Sequence, residues 1–380
     1  MAETNPTVLM AVEQLRRRVP GGIGAYARGL LSGLRQCAEE GDGVDVTLLA
    51  SRPPGGPAAD PLALLGRPLR TTGWPGVLTT RAWDRGVLRA PEGFDIVHSV
   101  SLASPRPGRS SRSRLVITVH DVAWRRHPDA TTRRGRRWHE AALQRARDGG
   151  ASLVVSSRLV ASDLAAFGVD PGRITVVGIG TDHLARPDNE ATAALLDRVG
   201  VSGEFLLTVG TLEPRKNLDR LALAYSQVRP TLPAPWPLVI VGPTGWGHEP
   251  AKPAAETEGV VFTGAVSDPL LAGLYRRARA FAYVPLTEGY GLPPLEAMRS
   301  GTPTVVSQEV PSVNDIDGDG PPPSRLVDPL DVDDIAAGLG EVLTEEALRS
   351  DLVARGSAHV VSRTWRDTAR AHLALWRRLR

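Results

Sequence analysis

The sequence has almost no cysteine and almost no lysine. Cys37 is the single cysteine among 380 residues, which excludes an internal disulfide and a thiolate cluster around zinc or iron–sulfur. Only Lys216 and Lys252 are lysines among 45 basic residues, so arginine supplies nearly all of the positive charge. A lysine that falls inside a motif therefore carries more weight than it would in an ordinary sequence.

Long hydrophobic runs are absent as well. No segment approaches the roughly 20 apolar residues that a membrane-spanning helix needs. Residues 1–7 also lack the basic start and apolar stretch of a secretory signal, so we expect a cytoplasmic protein. A hydrophobic fraction of 42% with 23% charged residues is typical of a globular protein, and the length favours two domains.

The positive charge is concentrated in the first half of the chain. Residues 1–185 carry 25 arginines and 17 acids, whereas residues 186–380 carry 20 basic residues and 25 acids. The densest stretch of basic residues contains Arg125, Arg126, Arg133, Arg134, Arg136, Arg137, Arg145 and Arg147. This stretch either attracts phosphates of a lipid or a nucleic acid, or is a solvated helix face.

Short apolar runs alternate with helical patterns along the whole chain, which predicts an α/β protein with parallel sheets. The interval 178–188 has little apolar periodicity and is the predicted linker. The strand candidates are 8–12, 44–50, 94–98, 115–120, 152–155 and 174–177 in the first half, then 204–209, 238–241, 260–263, 280–284, 304–307 and 325–327.

Helical spacing continues to the end of the chain. Helices are predicted at 218–228, 333–343, 345–355 and 364–379, and the last must bury a face that includes Trp365 and Trp376. The proline-rich and aspartate-rich segment 311–323 reads as a surface turn.

A glycine-rich segment lies between the first strand candidate and a helical pattern that starts near Ala25. Gly21, Gly22 and Gly24 would let backbone N–H groups approach a phosphate closely. Gly22, Gly24 and Ala27 also match a dinucleotide fingerprint, but eight residues separate Val12 from Gly21, whereas that fingerprint directly follows its strand. Nicotinamide or flavin binding is therefore disfavoured, and the lack of G-K-[ST] excludes a P-loop.

Two polar residues end a strongly apolar strand candidate. His120 and Asp121 follow Leu115–Val119, and burying such residues is costly unless they find partners. This favours a contact with a ligand, and local capping of the next helix is the alternative. His98 ends its strand in a similar way, with a stronger case for a purely structural role.

The sequence T-L-E-P-R-K-N at 211–217 follows the strand candidate that ends at Val209. Arg215 and Lys216 would lie at the start of the helix 218–228, where cations oppose the helix dipole unless an anion lies between them. A bound diphosphate would be such an anion.

Two glutamates frame the motif E-G-Y-G-L-P-P-L-E at 288–296. Pro293 and Pro294 suit only the first turn of a helix, so Glu288 lies in the preceding loop and Glu296 about one turn into the helix. As charged acceptors, the two could bind sugar and ribose hydroxyls in a cleft between the domains. A general acid and base pair for glycoside hydrolysis is less convincing, and ordinary loop and helix charges remain open.

Together these segments resemble the retaining, nucleotide-sugar-dependent glycosyltransferases of family 4, which have the GT-B fold. The motifs extend over nearly the whole chain. They are G-G-I-G-A-Y-A-R-G-L-L at 21–31, V-H-D-V-A-W at 119–124, V-G-T-L-E-P-R-K-N-L at 209–218, V-G-P-T-G-W-G at 241–247, F-T-G-A-V-S-D at 262–268, E-G-Y-G-L-P-P-L-E-A-M at 288–298, G-T-P-T-V at 301–305 and L-V-D-P at 326–329.

The resemblance implies two facing Rossmann-like domains with an interdomain cleft. Residues 1–183 would bind the acceptor, residues 184–363 would bind a nucleotide sugar, and the helix 364–380 would pack back on the first domain. The sugar would be transferred to an acceptor hydroxyl with retention of the anomeric configuration.

The resemblance also implies roles for particular residues. Arg215 and Lys216 would hold the diphosphate, Glu296 the ribose, Glu288 with Tyr290 and Gly291 the donor sugar, and His120 the transferred sugar near the reacting carbon. Gly22 would offer N–H groups to the diphosphate. The remaining donor-site positions implied are Gly24, Gly210, Thr211, Gly242, Gly289 and Leu292.

Catalysis in this family is electrostatic, so the resemblance implies no metal and no other cofactor. We expect GDP-mannose as the donor, because T-L-E-P-R-K-N resembles mannosyltransferases, with UDP- or dTDP-sugars as alternatives. The acceptor would be a glycan, a lipid-linked molecule or a small molecule, and the basic half would suit the anionic inner face of a membrane.

Other classes stay open or are excluded. An epimerase or phosphorylase on the same fold remains an alternative, as does an NAD(P)-dependent oxidoreductase. A nucleic-acid partner is not expected, because the arginines are not interleaved with aromatic residues and no known nucleic-acid module is present.

Two segments depart from the family pattern. Many relatives have arginine where this chain has Thr211, which makes the role of Arg215 less secure than that of Lys216. The segment 308–323 also departs, and its helix is expected to be short.

Overall fold

The computed structural model describes residues 5–17, 19–53, 55–56, 60–245, 252–315 and 320–380. The chain forms two compact units. The first contains the residues up to 124, residues 132–180 and residues 364–380, and the second contains residues 125–131 and 181–363. The change from one unit to the other between 180 and 181 falls inside the predicted linker, three residues before the predicted boundary. The grouping of residues 125–131 with the second unit was not predicted.

The first unit contains a seven-stranded sheet in the order β3-β2-β1-β4-β5-β6-β7, with every pair parallel. Valine, leucine and isoleucine side chains from these strands form its buried core. The strands are β1 (Thr7–Ala11), β2 (Asp45–Ala50), β3 (Leu69–Thr71), β4 (Ile96–Ser99), β5 (Arg114–Thr118), β6 (Ser152–Val155) and β7 (Ile174–Val176).

The second unit contains a six-stranded parallel sheet in the order β10-β9-β8-β11-β12-β13. This is the strand order of a Rossmann sheet, and the first sheet shows the same order with one more strand. The strands are β8 (Leu206–Val209), β9 (Leu238–Val241), β10 (Val260–Gly264), β11 (Ala280–Tyr283), β12 (Thr304–Ser307) and β13 (Arg325–Val327).

Helices connect the strands in both units. They are α1 (Gly21–Glu39), α2 (Gly76–Asp84), α3 (Ala123–Arg126), α4 (Arg133–Asp148), α5 (Arg158–Ala166), α6 (Asn189–Arg198), α7 (Leu218–Val228), α8 (Lys252–Glu256), α9 (Asp268–Arg277), α10 (Leu292–Arg299), α11 (Pro311–Asn314), α12 (Val332–Thr344), α13 (Glu346–Val361) and α14 (Trp365–Leu379).

The last helix, α14, packs on α1 within the first unit. A Cβ atom at Gly29 would lie 2.1 Å from the Trp365 ring, so only glycine lets the two helices approach this closely. Trp365 and Trp376 are both buried. The apolar face expected for this helix is therefore buried against the N-terminal part of the chain.

The α/β prediction with two parallel sheets is confirmed, and several local predictions were wrong. Strand β3 was missed, because three residues with one apolar side chain carry no recognisable pattern. Helix α1 begins at Gly21 rather than near Ala25. The segment 311–323 is not all surface, because Pro311, Ser312 and Val313 are buried in α11; residues 316–319 lie outside the described residues.

Candidate active site

The site in the second unit lies where the strand order reverses. Strands β8 and β11 are neighbours at the middle of the sheet. The chain continues from β8 to β9 on one side of this pair and from β11 to β12 on the other. In open parallel sheets, ligands bind beyond the carboxyl ends of the strands at this reversal point. The loops that follow β8 and β11 hold the motifs 210–217 and 284–291.

Two glycines bring the loops after β8 and β9 into direct contact. Gly242 has a φ of +152°, and a Cβ atom there would lie 2.0 Å from the carbonyl oxygen of Gly210. The Gly210 N–H donates to the carbonyl of Val241 at 2.9 Å. Any side chain at 242 would push the loops apart, so the predicted residues Gly210, Thr211 and Gly242 share one part of the site. Residues 246 and 247 of the predicted motif 241–247 lie outside the described residues.

Arg215 and Lys216 lie at the start of α7, as predicted, and α7 has the predicted bounds 218–228. They occupy a short 3-10 turn, Pro214–Lys216, and α7 starts after Asn217. Asn217 has a φ of +59°, and its side-chain amide donates to the carbonyls of Val284 at 2.9 Å and Pro329 at 2.7 Å. The turn is thereby tied to the loop after β11.

The ammonium group of Lys216 is buried among acceptors. Its Nζ donates to the Tyr283 hydroxyl at 2.6 Å and to Oε2 of Glu288 at 2.7 Å. Burial lowers the pKa of Lys216, and the Glu288 carboxylate opposes this effect. Among the described residues, the third N–H of the ammonium has no partner, so it is available to an anion.

Arg215 binds the same carboxylate from the other side. Its guanidinium donates to Oε1 of Glu288 at 3.0 Å, to the carbonyl of Thr287 at 3.1 Å and to Oε1 of Glu213 at 2.7 Å. The side chain is 16% exposed. Arg215 is therefore a fixed, largely buried cation with one edge towards the loop after β11.

Glu288 lies between the two cations. Burial alone would raise its pKa, but Arg215 and Lys216, together with hydrogen bonds from Lys216 and Tyr283, outweigh burial and hold the pKa well below its usual range. Burial and the Glu288 charge raise the pKa of Tyr283, which stays a hydroxyl donor to Oε2 at 2.6 Å. Glu213 supplies a second carboxylate, so the formal charges of the four ionised side chains cancel.

Glu296 lies in α10, whose first turn contains the two prolines as predicted. Its Oε2 accepts a hydrogen bond from the Tyr275 hydroxyl at 2.9 Å, and its Oε1 lies 2.9 Å from Nε2 of His183. Burial and the Glu296 charge raise the pKa of Tyr275, which keeps its proton. These two partners fix the plane of the carboxylate.

The residues between the two glutamates form the entry to α10. Gly291 has a φ of +96°, and a Cβ atom there would lie 2.4 Å from a methyl group of Val310. The Tyr290 hydroxyl accepts a hydrogen bond from Arg363 at 3.0 Å. Gly289 and Leu292 lie beside them, and Leu292 begins the helix, so this predicted set is contiguous.

The predicted residues of the first unit form a separate group. Gly22 and Gly24 lie in the first turn of α1, and a Cβ atom at Gly22 would meet nothing within 4 Å. At Gly24, a Cβ atom would lie 2.3 Å from Cβ of Pro20. The space beside Gly22 is therefore open, whereas Gly24 is needed for the close contact with Pro20 in the same turn.

His120 lies two residues beyond β5. Its Nε2 is 2.8 Å from the carbonyl of Val100, which can only accept, so Nε2 carries the proton. Burial lowers the pKa of His120, and the neutral ring then presents Nδ1 as an acceptor. The ring packs edge-on against Tyr26 with centroids 4.9 Å apart. His98, by contrast, is fully buried and bonded to Thr118 at 2.9 Å.

Sequence reasoning missed four side chains of the site in the second unit. Glu213, His183, Tyr275 and Tyr283 bind predicted residues; Glu213 lies in the same motif as Arg215, His183 in the loop before α6, Tyr275 in α9 and Tyr283 in β11. Glu213 was visible inside the motif 211–217 as an acid beside two cations. The other three carried no local signal, because only tertiary folding brings them to the glutamates.

Within the described ranges, no three histidine, cysteine, aspartate or glutamate side chains are grouped so that they could hold a metal ion. No helix in the part of the chain that the structure describes has the length and apolar character needed to cross a bilayer.

Comparison with known proteins gives consistent results in both halves. Residues 200–359 match the family model described as glycosyl transferases group 1, and residues 20–183 match the model of glycosyltransferase family 4. O-antigen chain mannosyltransferase B of Escherichia coli is 31% identical over 261 residues, which cover 67% of this chain and 68% of that protein.

Two further proteins match nearly the whole chain. The D-inositol 3-phosphate glycosyltransferase of a Nocardioides species is 28% identical over 404 residues, with 97% of this chain and 84% of that protein covered. The crystal structure of Anabaena HepE in complex with UDP and glucose superposes with a TM-score of 0.71 at 15% identity, with 97% and 99% covered.

Proposed function

Because the chain belongs to the glycosyl transferases group 1 family and has the GT-B fold, we propose that it transfers a hexose, with retention of configuration, from a nucleoside diphosphate sugar to a hydroxyl group. The observation that carries the proposal is the buried cluster of Arg215, Lys216 and Glu288 at the point where the strand order of the second sheet reverses. Its two cations suit the diphosphate of such a donor.

The cations can stabilise a diphosphate as it leaves. Breaking the bond between the sugar and the phosphate oxygen places negative charge on the diphosphate, and prepositioned cations lower the energy of that charge. Arg215 and Lys216 are already desolvated, so their interaction with an incoming anion is stronger than it would be in water. Diphosphate oxygens would compete with Glu288 and Glu213 for the same N–H groups.

The low pKa of Glu288 argues against this residue as the general acid of a glycoside hydrolase. A hydrolase needs a general acid whose pKa is raised, whereas the cations keep Glu288 ionised. An ionised carboxylate is only an acceptor, which suits hydroxyl groups of a donor sugar. Glu296, whose plane is fixed by Tyr275 and His183, suits the two hydroxyls of a ribose in the same way.

The reaction needs no nucleophile from the protein. The acceptor oxygen forms a bond to the anomeric carbon on the same face from which the diphosphate leaves, and the leaving phosphate oxygen takes the acceptor's proton. The roles of His120, Gly22 and Gly24 stay predictions from the family resemblance. We also propose that no metal ion takes part, because two cations already occupy the place of the leaving group's counter-ion.

The donor proposed first is GDP-mannose. It is supported by the E. coli relative, whose name states a mannosyltransferase. HepE was crystallised with UDP and glucose, so UDP-sugars are the competing donors. The acceptor is proposed to be a glycan, a lipid-linked molecule or a small molecule, met at the cytoplasmic face of a membrane.

A thermal-shift panel tests the proposal. The full chain is heated with GDP-mannose, UDP-glucose, UDP-N-acetylglucosamine, dTDP-rhamnose, the free nucleotides and NAD(P)H, with and without EDTA. A ligand at 100 times its dissociation constant adds about 2.7 kcal/mol to the free energy of unfolding. We expect a shift with one nucleotide family that EDTA does not change.

Two variants locate the effect. Lys216→Met should abolish the ligand-induced shift, while Arg198→Met, which removes an exposed cation in α6, should retain it. A shift with NAD(P)H alone, or an equal shift in the Lys216→Met variant, would contradict the proposal.

A further inference from the structure

Helix α2 of the first unit exposes apolar side chains on a face that nothing described covers. Val77 is 66% exposed and Leu78 is 47% exposed, while Thr79, Ala82 and Trp83 on the opposite face are buried. Trp74, two residues before the helix, is 44% exposed. An exposed tryptophan beside exposed aliphatic side chains is typical of a binding surface.

The backbone that carries these side chains is firmly held. The Trp74 carbonyl accepts hydrogen bonds from the Arg52 N–H at 3.0 Å and from the Thr79 hydroxyl at 3.1 Å. A Cβ atom at Gly76 would lie 2.6 Å from the Glu13 carboxylate, so the helix start is packed tightly against the residues after β1. The apolar face is thus held in a fixed position at the carboxyl edge of the sheet.

The same face of α2 becomes basic towards its end. Arg81 and Arg85 lie four and eight residues after Val77, both are exposed, and neither has an ion-pair partner among the described residues. The one acid of the helix, Asp84, is neutralised by Arg145 and accepts a hydrogen bond from the Trp138 indole at 2.8 Å.

Helix α4 adds positive charge next to this face. Trp138 and Arg145 of α4 both contact Asp84, so the two helices meet there. Arg134 lies one turn before Trp138, about 6 Å along the helix, and is exposed without a partner in the described structure.

Only some arginines of the predicted stretch 125–147 belong to this surface. Arg145 pairs with Asp84 and Arg147 with Asp148. Arg125 and Arg126 group with the second unit. The arginines that remain exposed in α4 lie in its first two turns.

We propose that this combination binds the surface of an anionic lipid bilayer. The residues, which we call the α2–α4 surface, are Trp74, Val77, Leu78, Arg81, Arg85 and Arg134. Half-exposed tryptophan and aliphatic side chains enter the boundary between headgroups and acyl chains, and flanking arginines are attracted by anionic headgroups.

A bilayer fits better than other polyanions. A nucleic acid or an acidic peptide would satisfy the arginines but would leave Val77 and Leu78 in water. A bilayer takes both groups at once, with the apolar start of α2 inserted and its basic end at the headgroups.

The surface also specifies the acceptor class, and this step rests on the proposed function. Gly76 touches Glu13 beyond the end of β1, so the α2–α4 surface borders the carboxyl edge of the first sheet, where a ligand of that unit would bind. An acceptor with a lipid anchor would meet this edge without leaving the bilayer.

Vesicle co-sedimentation of the full chain tests the surface. The probes are vesicles of phosphatidylcholine alone and of phosphatidylcholine mixed with phosphatidylglycerol, at low and at high salt. We expect binding only to the anionic vesicles, weakened by salt. Absence of binding to anionic vesicles at low salt overturns the proposal.

Matched substitutions separate insertion from general charge. Leu78→Asp should weaken binding roughly tenfold, and Leu223→Asp, a half-exposed leucine of α7, should leave it unchanged. Arg81→Glu with Arg85→Glu should weaken binding at least about 30-fold, whereas Arg276→Glu with Arg277→Glu in α9 changes the net charge equally without this loss.

Several results would contradict the proposal. Binding that Leu78→Asp leaves intact, or that both arginine pairs reduce equally, would show adsorption by charge alone. A dimer that dissociates on Leu78→Asp would assign the face to a second copy of the chain. Thermal melts check that each variant folds, and the donor-induced shift is measured separately, so failure here leaves the proposed transferase activity standing.

Discussion

The buried cluster of Lys216 and Glu288 makes a quantitative prediction about stability. At an effective dielectric constant of about 20, unit charges 2.7 Å apart attract by about 6 kcal/mol, and the loss of hydration offsets much of this. Removing Lys216 leaves Glu288 with Arg215 as its one cation, and removing Glu288 leaves the Lys216 ammonium buried without its carboxylate, so each change costs up to about 3–5 kcal/mol. We expect Lys216→Met and Glu288→Gln each to lower the free energy of unfolding by that amount.

The double variant distinguishes a coupled pair from two independent residues. With both charges gone, no buried charge is left from this pair, so the double variant should cost less than the sum of the single variants, by about 1–3 kcal/mol. Urea unfolding of the four proteins at pH 7 measures this difference. Costs that add to within about 0.5 kcal/mol would refute the reasoning.

The pH dependence provides a second check on the same pair. The pKa of Glu288 is lowered in the folded state from an ordinary value of 4.5, so its contribution to stability is present above that value and is lost as the pH falls through the folded pKa. The stability difference between the wild type and Glu288→Gln, which has no carboxyl group to titrate at this position, should therefore shrink below about pH 4.5. A difference that stays constant down to pH 3 would contradict a pairing of charges.

Three further predictions follow from single positions. Gly242→Ala should lower the free energy of unfolding by about 2–4 kcal/mol and reduce the nucleotide-induced shift, because the new methyl group would overlap the Gly210 carbonyl. Gly301 is also at positive φ but has open space around it, so Gly301→Ala should cost about 1 kcal/mol in the same urea unfolding assay. Burial lowers the pKa of His372 from 6.5 to about 4, so acid titration should remove about 3 kcal/mol of stability between these pH values, and His372→Gln should show a shallower loss. Gly22→Ala meets no neighbour and should leave the melting temperature unchanged or slightly higher, while weakening donor affinity if the Gly22 N–H contacts the diphosphate.

Regular elements could be predicted from the sequence where local pattern and burial agree. Strands β9, β12 and β13 begin and end at the predicted residues, because each is an apolar run bounded by residues that favour turns. Strand β3 has no such pattern, since it is short and lies at the edge of its sheet. The burial of Val313 in a segment full of prolines could not be predicted either, because it depends on packing across the chain.

The candidate site could also be predicted only in part. The motifs placed Arg215 and Lys216 at the start of the helix after one strand and Glu288 in the loop after another. The structure shows that these strands, β8 and β11, are parallel neighbours, which brings the three residues together. The pairing of Glu288 with both cations was not foreseen, because a bound diphosphate was expected as the anion beside them. Side chains that reach the site from a distant loop, such as His183 on Glu296, carry no sequence signal.

Hydrogen–deuterium exchange with and without GDP-mannose tests the proposed donor site, because it shows both whether the ligand binds and where. We expect slower exchange in peptides that cover 209–217 and 288–296, and no such slowing in the Lys216→Met variant. Unchanged exchange in both segments with every nucleotide sugar of the panel, or slowing confined to other parts of the chain, would contradict the proposal.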